Sequence, residues 1–126
     1  SSVSGASYGF TLSNGYFEST NKGVNSTYAI CKVTITNPAG LNVYMDYINY
    51  AESNYDYGLV SKLNTTLSSS TSADSSTYTQ LNCKGQSSSS VKTLNLGAVE
   101  GYIYVKFIKD GSTHSYNDSF KFTIRF

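Results

Sequence analysis

Apolar and polar residues alternate with a period of two along most of this chain, and the alternation is clearest in four stretches. In Tyr28 to Asn37 the apolar set is Ala29, Cys31, Val33 and Ile35, and in Leu41 to Tyr50 it is Leu41, Val43, Met45 and Tyr47. Gly101 to Asp110 carries Ile103, Val105 and Phe107 in the same phase, and Asp118 to Phe126 carries Phe120, Phe122, Ile124 and Phe126. Because successive side chains of a strand point to opposite faces, each stretch predicts a strand with one face toward a core. Fainter alternation predicts strands at Tyr8 to Leu12, Gly15 to Glu18, Asp56 to Ser61, Tyr78 to Lys84 and Val91 to Leu96. No segment sustains a helical period, although Leu59 to Leu67 has room for one helical turn.

Turn chemistry divides these strands. In Asn37-Pro38-Ala39-Gly40, Pro fixes φ and Gly accepts positive φ, so the segment is expected to join two of the clearest strands as a hairpin. Ser13-Asn14-Gly15 predicts a second tight turn, of the Asn-Gly kind. Two Ser-rich tracts, Ser68 to Ser76 and Ser87 to Ser90, are short enough to be loops within one domain. Residues 1–126, without an internal repeat, read as a single all-β domain of nine or ten antiparallel strands. The expected architecture is a two-sheet β-sandwich of jelly-roll type.

Composition narrows what such a sandwich can do. A chain of 126 residues can bury a core without staples. Nine basic and eight acidic residues leave a net charge of +1, and charged positions make up only 13%, so there is no footprint for nucleic acid. No polybasic run suits an anionic membrane surface, and no apolar run approaches the roughly 20 residues that span a bilayer. Solubility therefore rests on Ser, Thr and Asn. Together with 12 Tyr they resemble an adaptable recognition surface, although Tyr and Thr are also good strand residues. The first residues, Ser1 to Gly5, show neither an initiator Met nor a signal-peptide pattern, so the chain reads as a processed product or an excised domain.

Candidate chemistry is sparse. Catalysis needs a nucleophile, a base and a group that orients the base. The single His, His114, lies in a Ser- and Tyr-rich loop with no marked partner, and no phosphate-cradling Gly loop or Cys/His cluster is present. Cys31 and Cys83 both fall on the inward parity, which fits two buried thiols or one bridge and is no metal signature.

The most localised candidate is Tyr50 to Tyr57, where Glu52 and Asp56 sit among aromatics, while Asp110 closes another strand. Glu52, Ser53, Asn54 and Asp56 offer oxygen ligands in close succession, and the loop from Asp110 to Asp118 offers more. That pattern suits calcium if the loops meet, and turn solvation if they do not. Tyr44, Ile48 and Tyr50 share one strand's outward parity, and Tyr102, Tyr104 and Ile108 share another's. Side by side they would make an exposed aromatic face, unless loops or the N-terminal segment cover it.

The stretch Val43 to Ser61, an apolar strand followed by Glu52 and then Tyr55-Asp56-Tyr57, resembles the CUB domain pattern of an apolar strand, a Glu and an aromatic-Asp-aromatic strand start. Tyr102 to Ser112 and Ser119 to Ile124 resemble that family's penultimate strand, ending in Asp, and its closing strand. The similarity covers about Tyr28 to the C-terminus. It implies a jelly-roll module that binds proteins or glycans, with Glu52, Asp56 and Asp110 as the matching calcium trio. The chain departs from the family in carrying Asn54 and Tyr55 where a Cys usually precedes the motif, and in the short interval from Glu52 to Asp56. Its low charge and Ser/Asn-rich loops also resemble uncharacterised β-domains of surface or virion proteins from gut bacteria and their phages.

The expected function is that of a non-enzymatic recognition or assembly module on a cell surface or virion. Its partner would be a protein or glycan, contacted through Asn54, Tyr55, Tyr57, His114 and Tyr116, with calcium as a candidate cofactor. A self-associating structural domain of a larger assembly, a homo-oligomer included, is the alternative. A small glycan-active enzyme using Glu52, Asp56 or Asp110 is the remaining one.

Overall fold

The alternating pattern is realised as ten strands among the described residues of the computed structural model, which are 2–21, 24–37, 41–51, 56–74, 78–81, 90–98, 100–111 and 119–126. In chain order they are β1 (Ser2–Tyr8), β2 (Phe10–Ser13), β3 (Tyr16–Ser19), β4 (Thr27–Thr36) and β5 (Val43–Tyr50). There follow β6 (Tyr57–Ser61), β7 (Tyr78–Leu81), β8 (Lys92–Gly97), β9 (Gly101–Lys109) and β10 (Ser119–Arg125). Sheet A has the order β1-β4-β9-β6-β7 and sheet B the order β2-β3-β10-β5-β8. No helix of the described residues is long and apolar enough to cross a membrane.

The pairings explain the topology. From β3 onward, β3 pairs with β10, β4 with β9, β5 with β8 and β6 with β7, all antiparallel, so the chain is one long hairpin. Rolling that hairpin sets β5 beside β10 and β6 beside β9, which is the jelly roll. β1 and β2 then extend the two sheets at one edge.

The rolled topology corrects two expectations. β4 and β5 do not form a hairpin, because both edges of β4 are taken by β1 and β9 and both edges of β5 by β10 and β8. Their apolar rows meet across the core instead. Asn37 Nδ2 donates to Leu41 O at 2.8 Å where the chain changes sheets, and Pro38 to Gly40 lie outside the described residues. Leu41, placed before the strand, is exposed.

The single strand expected at Tyr8 to Leu12 is broken at Gly9, whose φ of +83° turns the chain from sheet A into sheet B. A Cβ there would lie 3.1 Å from Ala29 Cβ, and the Gly9 carbonyl accepts from the Thr20 N–H (2.6 Å) and hydroxyl (2.9 Å). Asn14 (φ 52°) and Gly15 (φ 80°) form the expected tight turn between β2 and β3. No helical turn follows β6; the chain makes only a Thr65 N–H to Lys62 O turn of 3.0 Å.

Between the sheets, the inward rows of β4 and β9 are nearly solvent-free and meet Val43, Met45, Phe120 and Phe122 from sheet B. Phe120 stacks on Phe107 at 5.7 Å and meets the edge of Phe10 at 6.3 Å, and such ring pairs contribute about 0.5–1.5 kcal/mol beyond burial. At the end of β10 the row opens: Ile124 is half-buried and Phe126 is exposed. Cys31 is a free, buried thiol in this layer, and its burial pushes its pKa up to about 11, so it acts as a small hydrophobe. Cys83 lies outside the described residues.

A second, smaller core lies on the outer face of sheet A. The segment after β6, residues 62–74, crosses that face as a strap, with Leu67 buried among Ile30, Leu59 and Ile108. Asn64 ties its start to β9: the Asn64 N–H donates to Tyr102 O at 2.7 Å, and the Tyr102 hydroxyl donates to Asn64 O at 2.9 Å. The outward tyrosines expected to share one face are on opposite sides of the sandwich. β9 belongs to sheet A and β5 to sheet B, so Tyr102 and Tyr104 face one way and Tyr44 and Ile48 the other.

Candidate functional site

The inward parity of β9, Ile103, Val105 and Phe107, continues to Lys109 at the strand's end. Tyr57 lies opposite Ile108, which leaves Asp56 facing Lys109 just beyond the ladder. Both side chains are buried, and Lys109 Nζ stands 3.3 Å from Asp56 Oδ2. The Asp110 N–H donates to Asp56 Oδ1 at 3.0 Å, and the Ser26 N–H donates to Asp110 O at 2.7 Å. Desolvating each ion costs several kcal/mol, and the pair holds because charge and hydrogen bonds are satisfied together.

Two members of the expected calcium trio therefore do come together, but Asp56 meets the main chain of Asp110 and takes a counter-charge from Lys109. Among the described residues no group of three His, Cys, Asp or Glu side chains could hold a metal ion. Glu52, Asn54 and Tyr55, and equally His114 and Tyr116, lie outside the described residues. Tyr57, the remaining expected contact residue, is described and lines a groove.

That groove follows from strand register. On the outer face of sheet A, Tyr28 of β4 lies opposite Ile108 of β9, and Ile108 lies opposite Tyr57 of β6. Tyr8 of β1, beside Ile30, extends the row to a fourth strand, and its ring stands 5.4 Å from that of Tyr28 at a 32° tilt. The row floors two adjoining cavities. The larger, about 480 Å³, is lined by Tyr8, Gly9, Thr20, Asn21, Thr27 and Tyr28 among others. The smaller, about 300 Å³, is bounded by Tyr57, Ile108, Asp110 and Gly111. Ser26 and Thr71 line both, so the cavities adjoin along the border of the strap, to which Thr71 belongs. Their volumes match ordinary small-ligand sites.

Local geometry fixes the walls. Ser26 adopts a left-handed conformation (φ 55°), which costs a non-glycine residue roughly 1–2 kcal/mol and is held by its bond to Asp110 O. The Thr27 hydroxyl donates to Val24 O at 2.7 Å. Asn21, only 7% exposed, donates through Nδ2 to Thr27 Oγ1 (3.3 Å) and Phe107 O (3.4 Å), while its Oδ1 has no hydrogen-bond partner among the described residues.

The strap wall is latched by Lys106, an outward residue of β9 that is nevertheless fully buried. Its ammonium donates to Ser72 O (2.6 Å), Ser68 O (2.8 Å) and Asp74 Oδ1 (3.2 Å). Burial pulls the Lys106 pKa below its ordinary value, and Asp74 only partly offsets that. Burial alone would raise the Asp74 carboxyl, but the Ser68 N–H and hydroxyl and the Lys106 ammonium outweigh it and hold the carboxyl below the usual range.

The alternating pattern placed Tyr28 at the outer end of a strand, but Tyr8, Asn21 and Thr71 are sequence-distant and give no local signal. They reach Tyr28 only because the hairpin rolls and the strap folds back. Compared with models of known protein families and with curated proteins, the chain matches none.

Proposed function

We propose that this jelly roll is a non-enzymatic recognition module that seats a glycan or protein partner in the groove across sheet A. The observation that carries the reading is the transverse row Tyr8, Tyr28, Ile108 and Tyr57, in which Tyr8 and Tyr28 line one cavity and Tyr57 and Ile108 a second one beside the strap. Tyrosine provides rigid contact area at low entropic cost, and short hydroxyl and amide side chains provide hydrogen bonds. The CUB-like resemblance and the surface or virion setting belong to this proposal, and the jelly roll is the scaffold that resemblance implies. The reading does not call on calcium, and Asp56 faces the Lys109 ammonium at 3.3 Å.

The test is a glycan array and a displayed-peptide library, each probed with the native chain, Tyr28→Ala and Tyr44→Ala. The reading expects at least one ligand whose binding falls tenfold or more in Tyr28→Ala and is unchanged in Tyr44→Ala, on the opposite sheet. Ligands lost in Tyr44→Ala and kept in Tyr28→Ala would refute it.

A further inference from the structure

We infer that Lys109 and Asp56 condense spontaneously into an intramolecular amide, a covalent cross-link between the end of β9 and the residue that precedes β6. The inference is independent of the recognition reading above. Three observations at the pair lead to it.

The first is contact away from water. The Lys109 and Asp56 side chains are 1% and 0% exposed, and Nζ stands 3.3 Å from Oδ2, which sets the amine against the carboxyl group. The next inward pair along the two strands is Gly58 with Phe107, and Phe107 stacks on Phe120 at 5.7 Å. A Cβ on Gly58 would lie 2.9 Å from the Phe120 ring, so aromatic surface closes over β6 beside Asp56. Burial disfavours the charged form of an amine and of a carboxyl group alike, and the neutral amine is the nucleophile. Groups held in contact and well oriented react as if at roughly 10⁵–10⁸ M.

The second is a donor at the oxygen that must take up charge. The Asp110 N–H donates to Asp56 Oδ1 at 3.0 Å, and it is fixed there because Asp110 O accepts from the Ser26 N–H at 2.7 Å. Ser26 holds a left-handed φ of 55° to make that bond. A fixed N–H stabilises the negative charge that develops on Oδ1 when Cγ becomes tetrahedral.

The third is the contrast with Lys106 and Asp74, which are as close, at 3.2 Å. There the ammonium also donates to Ser68 O and Ser72 O, and Asp74, 12% exposed, accepts from both the N–H and the hydroxyl of Ser68. Those bonds favour the charged forms, so that pair stays ionic.

The step balances within the pair. Nζ passes one proton to Oδ2, which gives an amine and a carboxylic acid. The amine lone pair attacks Cγ, the C=O electrons move onto Oδ1 against the Asp110 N–H, and a second proton passes from Nζ to Oδ2. As C=O re-forms, the Cγ–Oδ2 bond breaks and Oδ2 leaves as water. Nζ keeps one hydrogen as an amide N–H, nothing is oxidised or reduced, and two buried charges are removed. The two residues are 53 apart in sequence, so the bond closes a loop that holds the strap, β7 and β8. Such a closure constrains the unfolded chain as a disulfide does.

Intact-mass spectrometry of the folded native chain, followed by tryptic mapping, tests the inference. The mass should lie one water below that of the sequence. The map should contain a branched peptide joining the segment with Asp56 to the segment with Lys109, uncleaved after Lys109. Chain recovered unfolded from inclusion bodies should start at the full sequence mass and lose the water as it refolds. Lys109→Arg, which keeps the cation without the nucleophilic amine, should stay at full mass.

A native chain that is folded by its dispersed amide NMR spectrum, yet keeps its full mass and gives separate peptides, would overturn the inference and leave an ion pair only. So would a water loss that maps to other residues, Lys106 and Asp74 included. The native measurements decide the matter whether or not the variant folds.

Discussion

The two outer faces of the sandwich use similar side chains in different ways. Each sets a cation against a tyrosine: Lys106 Nζ lies 5.9 Å from the Tyr28 ring on sheet A, and Arg125 Cζ lies 4.8 Å from the Tyr44 ring on sheet B. Each also carries an ion pair, Lys106 with Asp74 at 3.2 Å and Arg125 with Asp46 at 2.9 Å. On sheet B the pair lies at the surface, and no described segment crosses above it. On sheet A the strap covers the cation, adds an apolar plug at Leu67 and leaves a groove at its border. One face is thus a solvated β-surface, and the other is a second, smaller core with cavities at its border. Location, not residue type, makes the difference.

That contrast is broken most severely by removing the two cations in turn. Lys106→Ala leaves Asp74 and two strap carbonyls without their partner and should cost about 3 kcal/mol in chemical denaturation. Arg125→Ala should leave the denaturation midpoint unchanged, since exposed pairs contribute little. Equal losses would mean that the strap does not enclose Lys106.

Somewhat smaller is the expected effect of Leu67→Ala. Truncating this buried side chain should cost about 2–3 kcal/mol, with faster amide exchange confined to residues 62–74 and their partners on β9. Exchange spread evenly over both sheets would show the strap to be part of the main core.

Acid should separate the faces less sharply. The Asp74 carboxyl is held below its ordinary 3.8, so its contribution is present above that value and is lost as pH falls through the lower, folded value. Lys106 acts differently: its folded pKa is below 10.5, so its ammonium is a net cost that is relieved as pH rises from the folded value toward 10.5. Asp46 is also depressed, by Arg125 first and Thr93 second, but at the surface its contribution is screened. Below pH 3.8 the strap amides should therefore lose protection before those of β5 and β10. The smallest expected effect is that of calcium. With Lys109 already against Asp56, millimolar calcium should leave the melting temperature unchanged, and a rise abolished by Asp56→Ala would contradict that assignment.

Much of the fold was legible in the alternating pattern because inward rows such as Ala29 to Ile35 are selected directly by burial. β1 was not, since Ser2 to Tyr8 has little apolar contrast and is held by its register with β4. The hairpin expected at Asn37 to Gly40 failed for a related reason: a turn signal marks where the chain reverses, while competition for strand edges decides which sheet it enters. The site was legible in part. Asp56 and Asp110 do approach each other, and Tyr57 does face a groove. Two lysines were invisible as buried groups, because parity put Lys106 on the outer face and a strand end exposed Lys109 to expectation. What covers a face depends on sequence-distant segments, and the strap that encloses Lys106 also supplies the groove's Thr71.

The central claim is that the outer face of sheet A, and not that of sheet B, is the recognition surface. Amide and tyrosine-ring NMR shifts, followed while the strongest ligand from the array or the peptide library is titrated into the native chain, test it most directly. The account predicts saturable shifts at Tyr8, Asn21, Tyr28 and Tyr57, with none at Tyr16, Tyr44 or Lys121. Shifts clustered on those last three, with the groove silent, would contradict it.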